Sequence, residues 1–323
     1  VTTWTNRYGG SPAAMDGMKT ADLRAEYMVE GLFQPGQARM AYTHVDRMVL
    51  GGIVPTLSPI AIGDGAPVGA THFHDARESG IANLGHHPGT ITVDGATYRL
   101  APRDVLYVGR GAQEVMLASD DPSHPAMFYL NSVPAGASLP HRLITQAQSK
   151  PLTFGDSSRA SLRTLRMYIH PEVAPSCLLL MGITDPAPGN VWNTMPPHLH
   201  ERRMEAYLYF DMADEDRVIH LMGRPDATRH LMVASGDAIL SPAWSIHMGA
   251  GTGPYAFVWG MTGENQIYQD VSPVAIKDLK CRAFHALSPP ANPSPCGAIP
   301  ASPRRALTCP NARWRGRWTR SSS

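Results

Sequence analysis

The chain has 323 residues, 43% hydrophobic and 17% charged, which is enough apolar material for a sizeable core and rules out a disordered protein. Its formal charge of +1 hides an asymmetry. Residues 281–323 carry seven Arg and no Lys, Asp or Glu, so residues 1–280 hold 21 basic against 27 acidic side chains and argue against a nucleic-acid partner. No apolar run reaches the ~20 residues of a membrane span, the first 20 residues lack a signal peptide's basic start and apolar stretch, and only Cys177 precedes the last 43 residues. A reducing, cytoplasmic location without membrane contact is the expectation.

Length suggests about two domains, and Gly and Pro, 29 of each, predict many turns. Residues 1–20 read as polar and irregular, and residues 21–34 as a short helix. From about Arg47 strand signals dominate. Thr90–Val93 and Thr97–Leu100 flank Asp94-Gly95, a dipeptide suited to a hairpin with positive φ. Val105–Val108, Glu205–Phe210, Val218–Met222, Ala238–Leu240 and Tyr255–Trp259 are further β-prone runs. Short strands at this spacing predict a sandwich or barrel. The stretch from Ser138 to Gly155 reads as a loop near a domain boundary. From Cys281 onward seven Pro and no apolar period predict a disordered basic tail, whose composition resembles an out-of-frame reading of GC-rich DNA.

The most informative stretch runs from Pro196 to Glu205. His198 and His200 stand two apart, so on a strand they share a face, and Glu205 heads a strong strand run. Imidazole and carboxylate suit Zn, Fe, Mn or Ni. A second stretch runs from Gly236 through Pro242 to His247. Together they resemble the two cupin motifs: the H-x-H-x4-E portion, the G-x5-P portion and the final His match. The chain departs from the motifs in the Gly ahead of His198, in the Gly expected after Glu205, and in Trp244, which replaces a Gly. The four ligand positions His198, His200, Glu205 and His247 are intact. The first half holds a second copy, His72, His74 and Glu78 with Gly85, then Gly109, Gly111 and Glu114. Two tandem cupin barrels are the expectation, all-β and of the double-stranded β-helix (jelly-roll) kind. Its division is an arm at 1–40, barrels at 41–150 and 151–280, and the tail at 281–323. His72, His74, Glu78 and Glu114 could form a second metal site, but barrel-lining or surface residues left from duplication are the preferred reading.

Longer strings sharpen the resemblance. Thr43-His44-Val45-Asp46-Arg47, Gly51-Gly52-Ile53-Val54-Pro55, the run from Pro188 to Pro196, Ser241–His247 and Trp259–Gln266 resemble the 5-dehydro-4-deoxy-D-glucuronate isomerase (4-deoxy-L-threo-5-hexosulose-uronate ketol-isomerase) family over about residues 20–280. The resemblance implies an aldose–ketose isomerase acting on a small uronate of pectin breakdown, one zinc per chain on His198, His200, Glu205 and His247, and a homo-hexamer. Met167 stands where the family has Lys. Such chemistry needs a Lewis acid, a base for the C2 proton and a cation for the substrate carboxylate. Arg202 and Arg203 are the expected carboxylate binders, and Tyr207 and Glu264 the expected proton-transfer residues, with His220 on a neighbouring segment. Trp192, Trp244 and Trp259 flank the site strings. The alternatives are another metal-dependent cupin enzyme, such as an iron dioxygenase, and a non-enzymatic sugar-binding bicupin. Met15 and Met18 are possible initiators.

Overall fold

Turn chemistry decides where this chain reverses, and strand alternation decides what it buries. In the computed structural model, which describes residues 1–264 and 266–281, Gly89–Val93 pairs antiparallel with Ala96–Leu100. Asp94 and Gly95 take φ of 46° and 85°, the left-handed values this hairpin turn requires. Strands also form at Val105–Val108, Arg203–Phe210, Val218–Gly223, Ala238–Ser241 and Ala256–Gly263, as the β-prone runs predict.

Two seven-stranded sheets dominate, and they repeat one order. The first runs Thr2–Arg7, Ala38–Thr43, Val49–Ile53, Phe128–Pro134, Arg77–Asn83, Val105–Val108, Arg142–Ile144. The second runs Lys150–Phe154, Arg163–Ile169, Leu180–Pro186, Ala256–Gly263, Arg203–Phe210, Ala238–Ser241, Met28–Val29. A four-stranded sheet that includes Gly89–Val93 and Val115–Ser119 faces the first, and a three-stranded sheet of Arg229–Val233, Val218–Gly223 and Ile246–Gly251 belongs to the second half. The result is two jelly-roll barrels in tandem.

Residues expected to be irregular contribute to these sheets. Thr2–Arg7 pairs in parallel with Ala38–Thr43, and Pro12–Gly17 is helical, ahead of a helix at Thr20–Tyr27. The helix expected over 21–34 ends at Tyr27, and Met28–Val29 is instead a strand that completes the second large sheet beside Ala238 and Ile239. The Ser138–Gly155 stretch holds two strands, Arg142–Ile144 and Lys150–Phe154, one in each large sheet. Backbone pairing, which apolar patterning does not register, supplies the order here. Of the expected tail only Cys281 is among the described residues, bridged to Thr228, and residues 282–323 lie outside them.

Three cores follow from the layers. One fills the first barrel around Phe73, Ile91, Leu106 and Phe128, and another fills the second around Leu165, Met167, Tyr209 and Phe257. The third lies between the two large sheets, with Leu50, Ala82 and Tyr129 from the first half against Met181, Ala206, Leu208 and Val258 from the second. Close approach there requires glycine: a Cβ on Gly260 would fall 2.2 Å from Asn131 Oδ1. Polar groups of the first half also cross. Arg103 donates to Asp185 and Asp211, each at 2.6 Å, and the Asp46 carboxylate accepts from the Met204 N–H at 3.0 Å.

Glu78 is the most heavily engaged of these groups. It is fully buried, and its carboxylate accepts from the Tyr107 hydroxyl and from the backbone N–H of Cys177, Leu178 and Leu179 at 2.7–2.9 Å. Glu78→Ala strands four donors, two of them buried, so urea denaturation should show a loss of about 3 kcal/mol, and Glu78→Gln a smaller one. An unchanged midpoint in Glu78→Ala would show that the clamp contributes nothing to stability.

Candidate metal centre

Arg203–Phe210 is buried along its whole length, and its two faces do different things. Met204, Ala206, Leu208 and Phe210 join the core between the sheets, so Glu205, Tyr207 and Tyr209 point into the second barrel. His247 comes from Ile246–Gly251 in the smaller sheet. His198 lies in a two-residue strand paired with Ser272–Pro273, and His200 follows it. The side chains converge: one donor atom from each of His198, His200, Glu205 and His247 lies within 4.8 Å of all the others. Glu205 Oε2 is 3.0 Å from His200 Nε2 and 2.7 Å from His247 Nε2, and His198 Nε2 is 3.2 Å from His247 Nε2.

The outer side of each ring decides which nitrogen offers its lone pair. The Nδ1 atoms of His200, His198 and His247 face the carbonyl oxygens of Asp270 at 2.9 Å, Pro196 at 3.3 Å and Ser245 at 3.4 Å. A carbonyl oxygen only accepts, so each Nδ1 carries the proton and Nε2 is left to coordinate. Burial first, then the neighbouring His247 and His200, lower the His198 pKa to about 3 and keep that ring neutral. Burial would raise the Glu205 carboxyl, and only positive charge at the His247 and His200 Nε2 atoms, carried by protons there or by a cation bound in their place, holds it well below the usual carboxylate range. Inward lone pairs and a carboxylate this close repel one another unless a cation lies among them. The donor set therefore fits a divalent ion of the Zn, Fe, Mn or Ni class.

The cluster opens on one side. His198, His200 and Glu205 form part of the wall of a cavity of about 440 Å³, whose lining also includes Arg163, Thr194, Tyr207, Trp259 and Tyr268. Most of the remaining wall is apolar. A closed four-ligand site serves structure, whereas one bordering a cavity can admit a substrate.

Comparison with known proteins places this geometry. The model of the KduI/IolB family matches residues 28–275. The chain belongs to that family. Proteins named 4-deoxy-L-threo-5-hexosulose-uronate ketol-isomerase from Yersinia enterocolitica and Yersinia pseudotuberculosis are each 47% identical over 265 residues, 81% of this chain and 95% of theirs. The crystal structure of an IolB-like protein from Salmonella typhimurium LT2 matches with a TM-score of 0.59 at 13% identity, over 70% of this chain and 87% of that one. An oxalate decarboxylase from Lactobacillus farciminis matches with a TM-score of 0.50 at 13% identity, over 71% and 79%. These two likenesses concern the fold alone. No helix among the described residues is long and apolar enough to cross a membrane.

Within this KduI/IolB-family barrel the other expected site residues separate. Tyr207 lines the cavity, its hydroxyl 2.8 Å from Thr194 Oγ1; burial, and then the Glu205 charge, push its phenol well above the ordinary value. Arg202 and Glu264 instead bond to each other at 3.1 Å on the exposed surface, and neither lines the cavity. Arg203 is buried as alternation predicts, but its guanidinium donates to the carbonyls of Ile267, Tyr268 and Asp270. It holds the segment that supplies the His200 carbonyl partner. His220 is buried with its Nδ1 2.7 Å from the Tyr209 hydroxyl, and does not line the cavity. Of the three tryptophans only Trp259 does; Trp244 packs edge-on to Tyr27. Met167 lies in the second barrel's core.

The first-barrel set does not assemble. His198, His200, Glu205 and His247 are the one such group found among the described residues. Pairing shows why: Ser79 faces Val108 as Glu205 faces Ser241, so Ser79 occupies the place of Glu205. Accordingly His74 Nε2 lies 2.8 Å from Ser79 Oγ, five residues on, as His200 lies from Glu205. Glu78 is one residue short and turns to the other face. Glu114 is exposed, and His72 pairs with Asp75.

Sequence reasoning passed over Arg163, Thr194 and Tyr268. An Arg within an alternating strand gives no signal that separates a wall residue from an outer one.

Purified protein should carry about one divalent ion per chain by elemental analysis, and Glu205→Ala or His200→Ala should lose it. Arg203→Met should weaken metal affinity by about 10- to 100-fold, as removal of an outer partner of a ligand does. Full metal content in Glu205→Ala would exclude this site.

Proposed function

We propose that this chain is a zinc-dependent aldose–ketose isomerase that converts 5-dehydro-4-deoxy-D-glucuronate (4-deoxy-L-threo-5-hexosulose uronate) to 3-deoxy-D-glycero-2,5-hexodiulosonate. The observation that carries the reading is the four-donor cluster His198, His200, Glu205 and His247 opening on a cavity, in a chain 47% identical to named ketol-isomerases over 95% of their length. His198, His200, Glu205 and His247 would hold the zinc, which when bound polarises a substrate carbonyl as a Lewis acid.

The chain's own residues then have to position the sugar and handle a proton. Among the described residues, the titratable groups that line the cavity and are not metal donors are Arg163, Tyr207 and Tyr268. Burial raises both phenols, so both stay protonated at neutral pH and serve as donors. Tyr207 is the better placed, because its ring follows Glu205 by two on one strand face and Thr194 orients its hydroxyl. Its role is to give a hydrogen bond to a sugar oxygen as charge gathers there, while the phenol keeps its proton. Glu264, exposed and paired with Arg202, takes no part in this proposal.

The reading extends to an arm at 1–40 with barrels at 41–150 and 151–280, a homo-hexamer and a cytoplasmic place of action. Light scattering of the purified protein checks the oligomer.

Chelation should abolish isomerisation of the uronate, and zinc should restore it. Tyr207→Phe should lower kcat by about 100-fold or more while metal content stays full. A metal-loaded wild-type protein that leaves the uronate unchanged would reject the isomerase reading and return the barrel to other cupin chemistry.

A further inference from the structure

Among the described residues that line the cavity, Arg163 is the one Lys or Arg. It is only 9% exposed and, among the described residues, pairs with no carboxylate; its two side-chain hydrogen bonds go to backbone carbonyls. Burial lowers its pKa, which reports the cost of keeping this cation out of water. A buried guanidinium facing a cavity without a carboxylate partner is strongly disfavoured unless an anion joins it.

Its geometry is fixed for that purpose. Nη1 donates to the Ser161 carbonyl at 2.9 Å and Nη2 to the Met195 carbonyl at 3.0 Å. A guanidinium has five N–H groups, so these two bonds leave one hydrogen on each Nη and the Nε–H. The two carbonyls hold the fork rigid, and the ring of Phe154 lies against it, 5.7 Å from centroid to Cζ. Thr184 Oγ1 and Trp259 Nε1 lie behind the cavity wall, buried with no hydrogen-bond partner and without access to the cavity, which leaves Arg163 to meet an anion.

We propose that Arg163 binds the carboxylate of the uronate substrate through the N–H groups that Ser161 and Met195 leave free. The proposal rests on the uronate reading of the preceding section. It gives the cavity its preference for an acid sugar over a neutral one, a task that Arg202 and Arg203 cannot perform from their positions.

The test compares the metal-loaded wild type with Arg163→Gln and Arg163→Lys. Each is assayed with the uronate and with the same sugar reduced to a primary alcohol at its carboxyl end. D-glucuronate and D-glucose binding is measured alongside by calorimetry. In Arg163→Gln, kcat/KM for the uronate should fall about 100-fold, chiefly through KM, and the preference for the uronate over the alcohol should fall with it, while metal content stays full. Arg163→Lys keeps the charge without the fork and should fall about 10-fold. If Arg163→Gln does not fold, Arg163→Lys carries the test, its loss confined to the uronate and absent on the alcohol. Uronate and alcohol weakened alike would mean a purely structural Arg163, and an unchanged uronate KM in both Arg163 variants would also overturn the proposal. A wild type inactive on the uronate defeats the isomerase reading alone, provided that it binds D-glucuronate better than D-glucose and Arg163→Gln does not.

Discussion

A strand buried on both faces cannot spend either on water, and Arg203–Phe210 is such a strand. Its even-numbered residues are apolar and close the gap between the two large sheets, where Ala206 lies opposite Gly260 on the neighbouring strand. Its odd-numbered residues face the barrel interior and are polar or aromatic. The two-residue period therefore ties the packing of one barrel on the other to the placement of Glu205 and Tyr207. A slip of one residue would send Glu205 into an apolar core and Met204 or Ala206 toward the metal donors. Across the barrel boundary, Asp46 fixes the register by accepting from the Met204 N–H.

The donor cluster is held from outside. Three carbonyls set the imidazole tautomers, and the one beside His200 belongs to a segment anchored by Arg203. Bringing three inward lone pairs and a carboxylate this close is unfavourable without a cation, so packing and backbone hydrogen bonds elsewhere must sustain the arrangement. The inter-sheet core and the Glu78 clamp contribute to that rigidity. A preorganised donor set is also what lets a bound ion keep open positions, because the protein rather than the ion dictates where the ligands stand.

The hairpin at Asp94-Gly95, the β-prone runs and the convergence of His198, His200, Glu205 and His247 were legible because each depends on local chemistry or on short spacing. The parity of Glu78 was not. Both halves place a carboxylate after an H-x-H, but three residues intervene in the first half and four in the second. Only the pairing of Ser79 with Val108 and of Glu205 with Ser241 reveals that this single residue changes the face. Arg202 and Arg203 were legible as basic residues near the site. Their partners, Glu264 and the carbonyls of residues 267–270, lie more than 60 residues onward, and spacing carries no trace of them. Residues 1–20 and 138–155 were misjudged for a related reason: their strands are specified by partners far along the chain rather than by alternation within themselves.

Charge in the cavity gives these placements a common logic. With a divalent ion bound, one carboxylate and three neutral imidazoles leave positive charge in excess, and Arg163 adds to it in a mostly apolar enclosure. A substrate carboxylate answers part of that excess on binding. The rest is answered only as negative charge develops on the sugar's oxygens, where the Tyr207 phenol is held as a donor because burial keeps it protonated. An arrangement that is over-positive with substrate bound, and balanced once charge has shifted, stabilises the transition state more than the ground state. On this account a neutral sugar would pay twice, losing its anchor and leaving the enclosure more positive throughout the reaction.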